Sequence, residues 1–158
     1  MKYQQRGFTL VEMMVTLTLM AILATAALPV LEKQAQRQKE EQLELALRQL
    51  REAIDSWHTA SEEGHISVSP DGSYYPPDLR ALAKGVQDIK SPDEKKIYFL
   101  RSIPRDPFCD CDDKPAEQTW RIRSYTNPPG DYSPGSDVYD ISSSSRATGL
   151  NGVPYAQW

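Results

Sequence analysis

One apolar run constrains this chain more than any other feature: from Phe8 to Leu31 the only charged residue is Glu12. As a helix, a run of about 24 residues extends about 36 Å, more than the roughly 30 Å hydrocarbon core of a bilayer. One membrane span is expected, and only one such run is present. Ahead of it, MKYQQRG carries Lys2 and Arg6 and no acid, so the bias of basic residues toward the cytoplasm keeps this end inside. The rest of the chain is then exported. ATAAL at 24–28 has the small residues of a signal-peptidase site. The run is longer than a usual signal core, however, and continues through Pro29, Val30 and Leu31, which favours a retained anchor.

Glu12 is the anomaly in this run. A carboxylate at the centre of a span costs roughly 2.5–3.5 kcal/mol, so an intramembrane acid is a functional hypothesis by default. The plainer alternative is a glutamate near the helix start that snorkels to the headgroups. From Glu32 onward the chain turns polar, and the whole has 158 residues, 25% charged, with a net charge of −4. That is room for one modest anchored domain. The acidic balance and the lack of a Lys/Arg cluster exclude a phosphate-tracking stripe, so no nucleic-acid partner is expected.

Gly7-Phe8-Thr9-Leu10-Val11-Glu12, with a basic leader before and an apolar run after, resembles the class III signal of the type IV prepilin and pseudopilin superfamily. The resemblance implies a prepilin peptidase that cuts between Gly7 and Phe8 and methylates the new N-terminus. Pro29 stands where that family usually carries a helix-kinking proline. The physics agrees, because a glycine backbone can enter a narrow cleft in an extended form. A freed Phe8 amine, with a reference pKa near 8, is mostly cationic at neutral pH. Two unit charges about 4 Å apart attract by about 4 kcal/mol at an effective dielectric of 20, enough to offset much of the cost of a carboxylate in lipid. Glu12 is therefore expected to pair with the Phe8 amine of a neighbouring subunit and to set the stagger of a helical homo-oligomeric filament.

Beyond the span, Leu43, Ala46, Leu50, Ile54 and Trp57 recur at spacings of three and four, the stripe of an amphipathic helix with Gly64 as its stop. Glu40, Glu44 and Arg48 mark its charged outer face. With the span it makes one helix of roughly 50 residues, bent at Pro29. A short helix is expected from Asp78 to Lys84, capped by Asp78 and ended by Gly85. Strands are expected at 119–126 and 137–142, with a weaker one at 153–158. In the first, Trp120, Ile122 and Ser124 should face the helix and Arg121, Arg123 and Tyr125 the other way. The fold class is α+β, a long N-terminal helix on a small antiparallel sheet, divided as leader 1–7, membrane and filament-core helix 8–31, and periplasmic domain 32–158.

YYPPDLRAL, IPRDPF and the ending DVYDISSSSRATGLNGVPYAQW resemble the major, G-type pseudopilin of type II secretion. That resemblance implies a structural subunit of a pseudopilus, drawn from the inner membrane by an assembly platform and its ATPase. Joined by other pseudopilins, the filament would push cargo toward an outer-membrane secretin. The G-type family binds calcium through acids in the loop before the final tryptophan, and SSSSRATGLNGVPYAQW has no Asp or Glu. No ligands are carried over, and the expected cofactor is none, with calcium left open. For the same reason a minor pilin of a type IV pilus, serving adhesion, motility or DNA uptake, is the alternative.

Cys109 and Cys111 form C-x-C, and two cysteines outside the cytoplasm normally pair. A bridge across one residue closes a very small ring and is readily reduced; a local disulfide stands ahead of free thiols. Asp106, Asp110, Asp112 and Asp113 around them lack a full EF-hand order, which favours a solvated acidic turn over a metal site. His58 and His65 lack the i, i+4 spacing of a helical zinc pair, and no nucleophile-elbow, Walker or dinucleotide motif occurs, so no enzyme is expected. Serines 142–145 are expected in a loop.

Overall fold

The computed structural model describes residues 7–69, 72–93, 95–133 and 135–158. The expected leader residues 1–6, with Lys2 and Arg6, lie outside the described residues. One helix, α1 (Leu10–Glu62), runs for 53 residues and holds Pro29 within its span. After it come α2 (Leu79–Lys84), β1 (Val86–Gln87), β2 (Lys96–Ile97), β3 (Trp120–Arg123) and β4 (Asp140–Ser143), with single 3-10 turns at Ala116–Gln118 and Tyr155–Gln157. The class is α+β, but the strands form two separate antiparallel pairs, β1 with β2 and β3 with β4. The chain divides into two compact units, one up to Gln38 and one from Lys39.

In the first unit, the helix satisfies three of its threonine hydroxyls internally. Its threonine hydroxyls donate back to carbonyls of the preceding turn: Thr16 to Met13 at 2.9 Å, Thr18 to Met14 at 2.6 Å and Thr25 to Ile22 at 2.8 Å. A hydroxyl bonded in this way leaves no unmet donor when water is absent.

In the second unit, the expected stripe on α1 is the core. Leu43, Ala46, Leu50, Ile54 and Trp57 are all buried, joined by Leu47 and Ala53, and pack with Ile66, Leu79, Leu82, Trp120, Val138, Ile141 and Tyr155. Asp78 caps α2 by accepting from the Ala81 amide at 2.8 Å, and Gly85 ends it at φ 78°, where a side chain would also meet the Tyr98 ring. β3 pairs with β4 in the register Trp120 to Ser143 and Ile122 to Ile141. Trp120 and Ser124 are buried and Tyr125 is exposed as expected, but Arg121, Ile122 and Arg123 are all half-buried, so the expected alternation is not seen within β3.

Several readings differ from expectation, and the strands expected at 119–126 and 137–142 shorten to 120–123 and 140–143. The segment 153–158 forms a 3-10 turn and one isolated bridge from Pro154 to Thr148, because a proline and a buried Tyr155 turn the chain onto the core instead of extending it. The serine run is not a loop throughout: Ser142 and Ser143 are buried in β4. Glu40 is half-buried rather than part of an outer face, its Oε1 accepting from the Leu150 amide and the Tyr155 hydroxyl, both at 2.8 Å. The pair β1 and β2, two residues each, was too short to leave a sequence pattern.

Arg51 ties α1 to the end of the fold. It donates to Asp140 Oδ1 at 3.0 Å, to the Ile141 carbonyl at 3.1 Å and to the Trp158 main-chain oxygen at 2.9 Å. With its side chain 39% exposed, these bonds are discounted for solvent. Arg51→Ala is expected to lower unfolding free energy by about 1–2 kcal/mol in urea titrations, and Arg51→Lys to recover less than half, since an ammonium cannot span three fixed acceptors. A loss under about 0.3 kcal/mol would show the clamp to be idle.

At the other end of this unit, His65 Nδ1 lies 3.0 Å from Asp88 Oδ1, and the Lys90 amide donates to the same oxygen at 3.0 Å. The His65 bond is the main reason the Asp88 carboxyl sits below its ordinary 3.8, with the Lys90 amide next. A depressed carboxyl stabilises above its unfolded pKa and loses that contribution as pH falls through its folded value. Carboxyl-carbon NMR should find Asp88 titrating below 3.8, and His65→Gln should move it upward; an unmoved titration would discount the histidine.

Candidate functional site

The residues singled out at the N-terminus lie together in the first turn of α1. Thr9 precedes the first helical residue and is its N-cap: the Glu12 amide donates to Thr9 Oγ1 at 3.2 Å and the Met13 amide to the Thr9 carbonyl at 3.2 Å. Glu12 is thus the third helical residue, where a carboxylate also faces the positive end of the helix dipole. Thr-x-x-Glu has the spacing of a capping box, and its threonine half, the Glu12 amide on Thr9 Oγ1, marks why helix begins at Leu10. Gly7 and Phe8 lie just outside the helix and are exposed.

A Cβ placed on Gly7 would meet nothing within 4 Å. The fold therefore has no need of glycine at that position. Phe8, Leu10, Val11, Met14, Leu17 and Met20 are all exposed, an apolar surface that neither water nor the chain itself accommodates well. By length and composition this helix can cross a membrane. Pro29 stands inside α1.

The C-terminal half sorts the other candidates. Cys109 and Cys111 are joined as a disulfide with Cα atoms 5.3 Å apart, and Arg105 braces the loop by donating to the Cys111 carbonyl at 2.8 Å and the Lys114 carbonyl at 2.5 Å. Asp106 departs from the expected solvated turn. It is 3% exposed, and its Oδ2 accepts from Ser143 Oγ at 2.8 Å, from the Ser144 amide at 2.9 Å and from Ser144 Oγ at 3.2 Å, while Oδ1 accepts from the Phe108 amide at 2.9 Å. Those donors hold the carboxylate in place without a cation. Among the described residues no three His, Cys, Asp or Glu side chains converge as metal ligands. His58 stacks on Tyr75 with ring centroids 4.5 Å apart, and His65 pairs with Asp88; the two histidines serve different contacts.

What distinguishes the N-terminal turn is its order: an unneeded glycine, an exposed Phe8, a capped helix with Glu12 in its first turn, then uninterrupted apolar surface. Residues 2–28 match the family model of the prokaryotic N-terminal methylation motif. At this end the chain is similar to proteins that carry that motif. The motif is that of structural proteins processed by a prepilin peptidase and assembled into filaments with other pilins. No curated protein and no solved structure matches the chain.

The cap yields a direct expectation. Thr9→Val keeps the size and removes the acceptor, so the first-turn amides, Glu12 above all, should exchange with solvent roughly 5-fold faster in detergent micelles, the equivalent of about 1 kcal/mol of lost capping. Unchanged exchange at Glu12 would mean the hydroxyl is not the effective cap.

Proposed function

We propose that this chain is a structural, non-enzymatic subunit of a type II secretion pseudopilus. In this reading it is cut between Gly7 and Phe8, N-methylated at Phe8, held in the inner membrane with its remainder in the periplasm, and drawn by an assembly platform and its ATPase into a helical filament. The observation that carries it is the methylation motif set directly against a helix whose apolar side chains are exposed from Phe8 onward. Such a helix needs lipid before assembly and other copies of itself afterward. Because the fold leaves Gly7 unconstrained, its presence is best accounted for by an enzyme that must accept the backbone there.

Within the filament Glu12 would face the Phe8 amine of a neighbouring subunit. Its role as the third residue of a capped turn is compatible with this, because capping uses the Glu12 amide and leaves the carboxylate to bond elsewhere. Pro29 would supply the bend of the filament-core helix. The choice of a secretion machine rests on the resemblance of YYPPDLRAL, IPRDPF and the C-terminal ending to the G-type pseudopilin. The acid-free stretch before Trp158 favours the second reading, a minor pilin of a type IV pilus.

Mass spectrometry of the intact N-terminus from membranes should find a chain beginning at N-methylated Phe8, and Gly7→Ala should leave it uncut. A chain beginning at Met1 would make it an ordinary anchored domain, and one beginning after Ala27 a secreted one. Glu12→Gln is expected to be processed normally yet to enter filaments at a tenth or less of the wild-type amount, judged by sheared-filament immunoblots; wild-type assembly would remove the register role. Deleting the gene should abolish export of secreted proteins while leaving surface pili intact, and the reverse pattern selects the minor pilin.

A further inference from the structure

In the unit from Lys39, away from the N-terminal turn, five aromatic rings form a ladder. Tyr75 lies between His58, at 4.5 Å, and Tyr125, stacked at 5.5 Å, with Tyr139 edge-on at 5.0 Å. Tyr74 stands edge-on to His58 at 6.1 Å. A cavity of about 530 Å³ opens beside these rings, bounded also by Glu62 and Asp137. Among the described residues its walls contain two carboxylates and neither lysine nor arginine.

Tyr125 is 63% exposed and Tyr74 44%, and both line the cavity. Asp137 is buried and occupied, accepting from the Tyr125 amide at 2.9 Å and from Ser73 Oγ at 2.5 Å, and contributes fixed negative charge. Glu62 is different: its side chain is 61% exposed, with His58 Nδ1 3.6 Å away, and it can turn toward a ligand. Burial raises the Tyr75 phenol above its ordinary 10.0, and beyond the neighbouring tyrosines the charges of Asp55 and Glu62 push it the same way, as a negative field at the rings requires.

The inner end of the ladder shows what such rings hold. The Arg123 guanidinium lies 4.6 Å above the Tyr139 ring and pairs with Asp140 Oδ2 at 3.3 Å, and Arg121 lies 4.3 Å above Tyr132. A planar cation on an aromatic face beside a carboxylate combines ring attraction with an ion pair. The cavity presents the same two components, exposed tyrosine rings and a carboxylate. We propose that it is a binding site for a guanidinium group, the exposed arginine of a partner polypeptide, stacked on Tyr125 with Glu62 as its counter-charge.

The test uses the full chain in detergent micelles, titrated with N-acetyl-arginine amide and followed by the NMR shifts of Tyr74, Tyr125 and the Glu62 amide. Saturable shifts confined to the cavity are expected, with affinity at least 5-fold weaker for the neutral isostere N-acetyl-citrulline amide and for Glu62→Gln. Tyr125→Ala should weaken it similarly. If that variant unfolds, the citrulline comparison and the exposed Glu62→Gln decide the matter. No saturable shift, equal binding of citrulline, or an unchanged affinity in Glu62→Gln would overturn the site. Equal binding of N-acetyl-lysine amide would replace the stacked guanidinium with a simple ion pair and overturn it too.

Discussion

Beyond Gly64 most of the backbone is irregular, and irregular backbone can cover a core only if its buried N–H and C=O groups find partners. Acidic side chains serve several of its amides, some part-buried and some exposed. Asp106 accepts from the amides of Phe108 and Ser144, Asp137 from that of Tyr125, Asp88 from that of Lys90, Asp131 from that of Ser133 and Glu40 from that of Leu150. A carboxylate suits this work because it is an acceptor only and makes charge-assisted bonds, roughly twice as strong as neutral ones. Asp88, Asp106, Asp131, Asp137 and Glu40 thus serve as part of the scaffold of the loops. The same use of acids leaves the stretch around Cys109 and Cys111 pinned by Asp106 and Arg105.

Those loops cover one surface, the stripe of α1 from Leu43 to Trp57. Helix and loops depend on each other, since the stripe alone would be exposed apolar area and strands of two to four residues could not stand alone. Arg51 and Glu40, both on α1, close the arrangement by reaching the last turn of the chain: one donates to the Trp158 oxygen and the other accepts from Tyr155. The first unit follows a different rule. Its large apolar side chains are exposed among the described residues, the Thr9 cap holds its first turn, and back-bonded threonines leave no hydroxyl donor of Thr16, Thr18 or Thr25 unmet.

Much of this was legible residue by residue. The spacing of Leu43, Ala46, Leu50, Ile54 and Trp57 is local and periodic, so the buried face of α1 could be read directly, and Asp78 and Gly85 mark α2 because caps act within one turn. Thr9 and Glu12 carried a capping signal that the apolar run around them obscured. Asp106 could not be read correctly: beside Asp110, Asp112 and Asp113 it looks like one more surface acid, and its partners Ser143 and Ser144 are far away in sequence. The tail at 153–158 alternates enough to suggest a strand, yet Tyr155 is drawn into the core and the chain turns.

The sequence by itself determined the apolar span, the lone Glu12 within it, the methylation motif and the amphipathic helix, because each depends on residues within a turn or two of one another. Only the tertiary structure decided which acids are buried acceptors, that the strands form two pairs instead of one sheet, that the serine run ends a strand, and that Tyr74, Tyr75 and Tyr125 meet His58 in one ladder. These depend on groups brought together from distant parts of the chain, and such meetings are set by the closure of loops over a shared core, which no local pattern encodes.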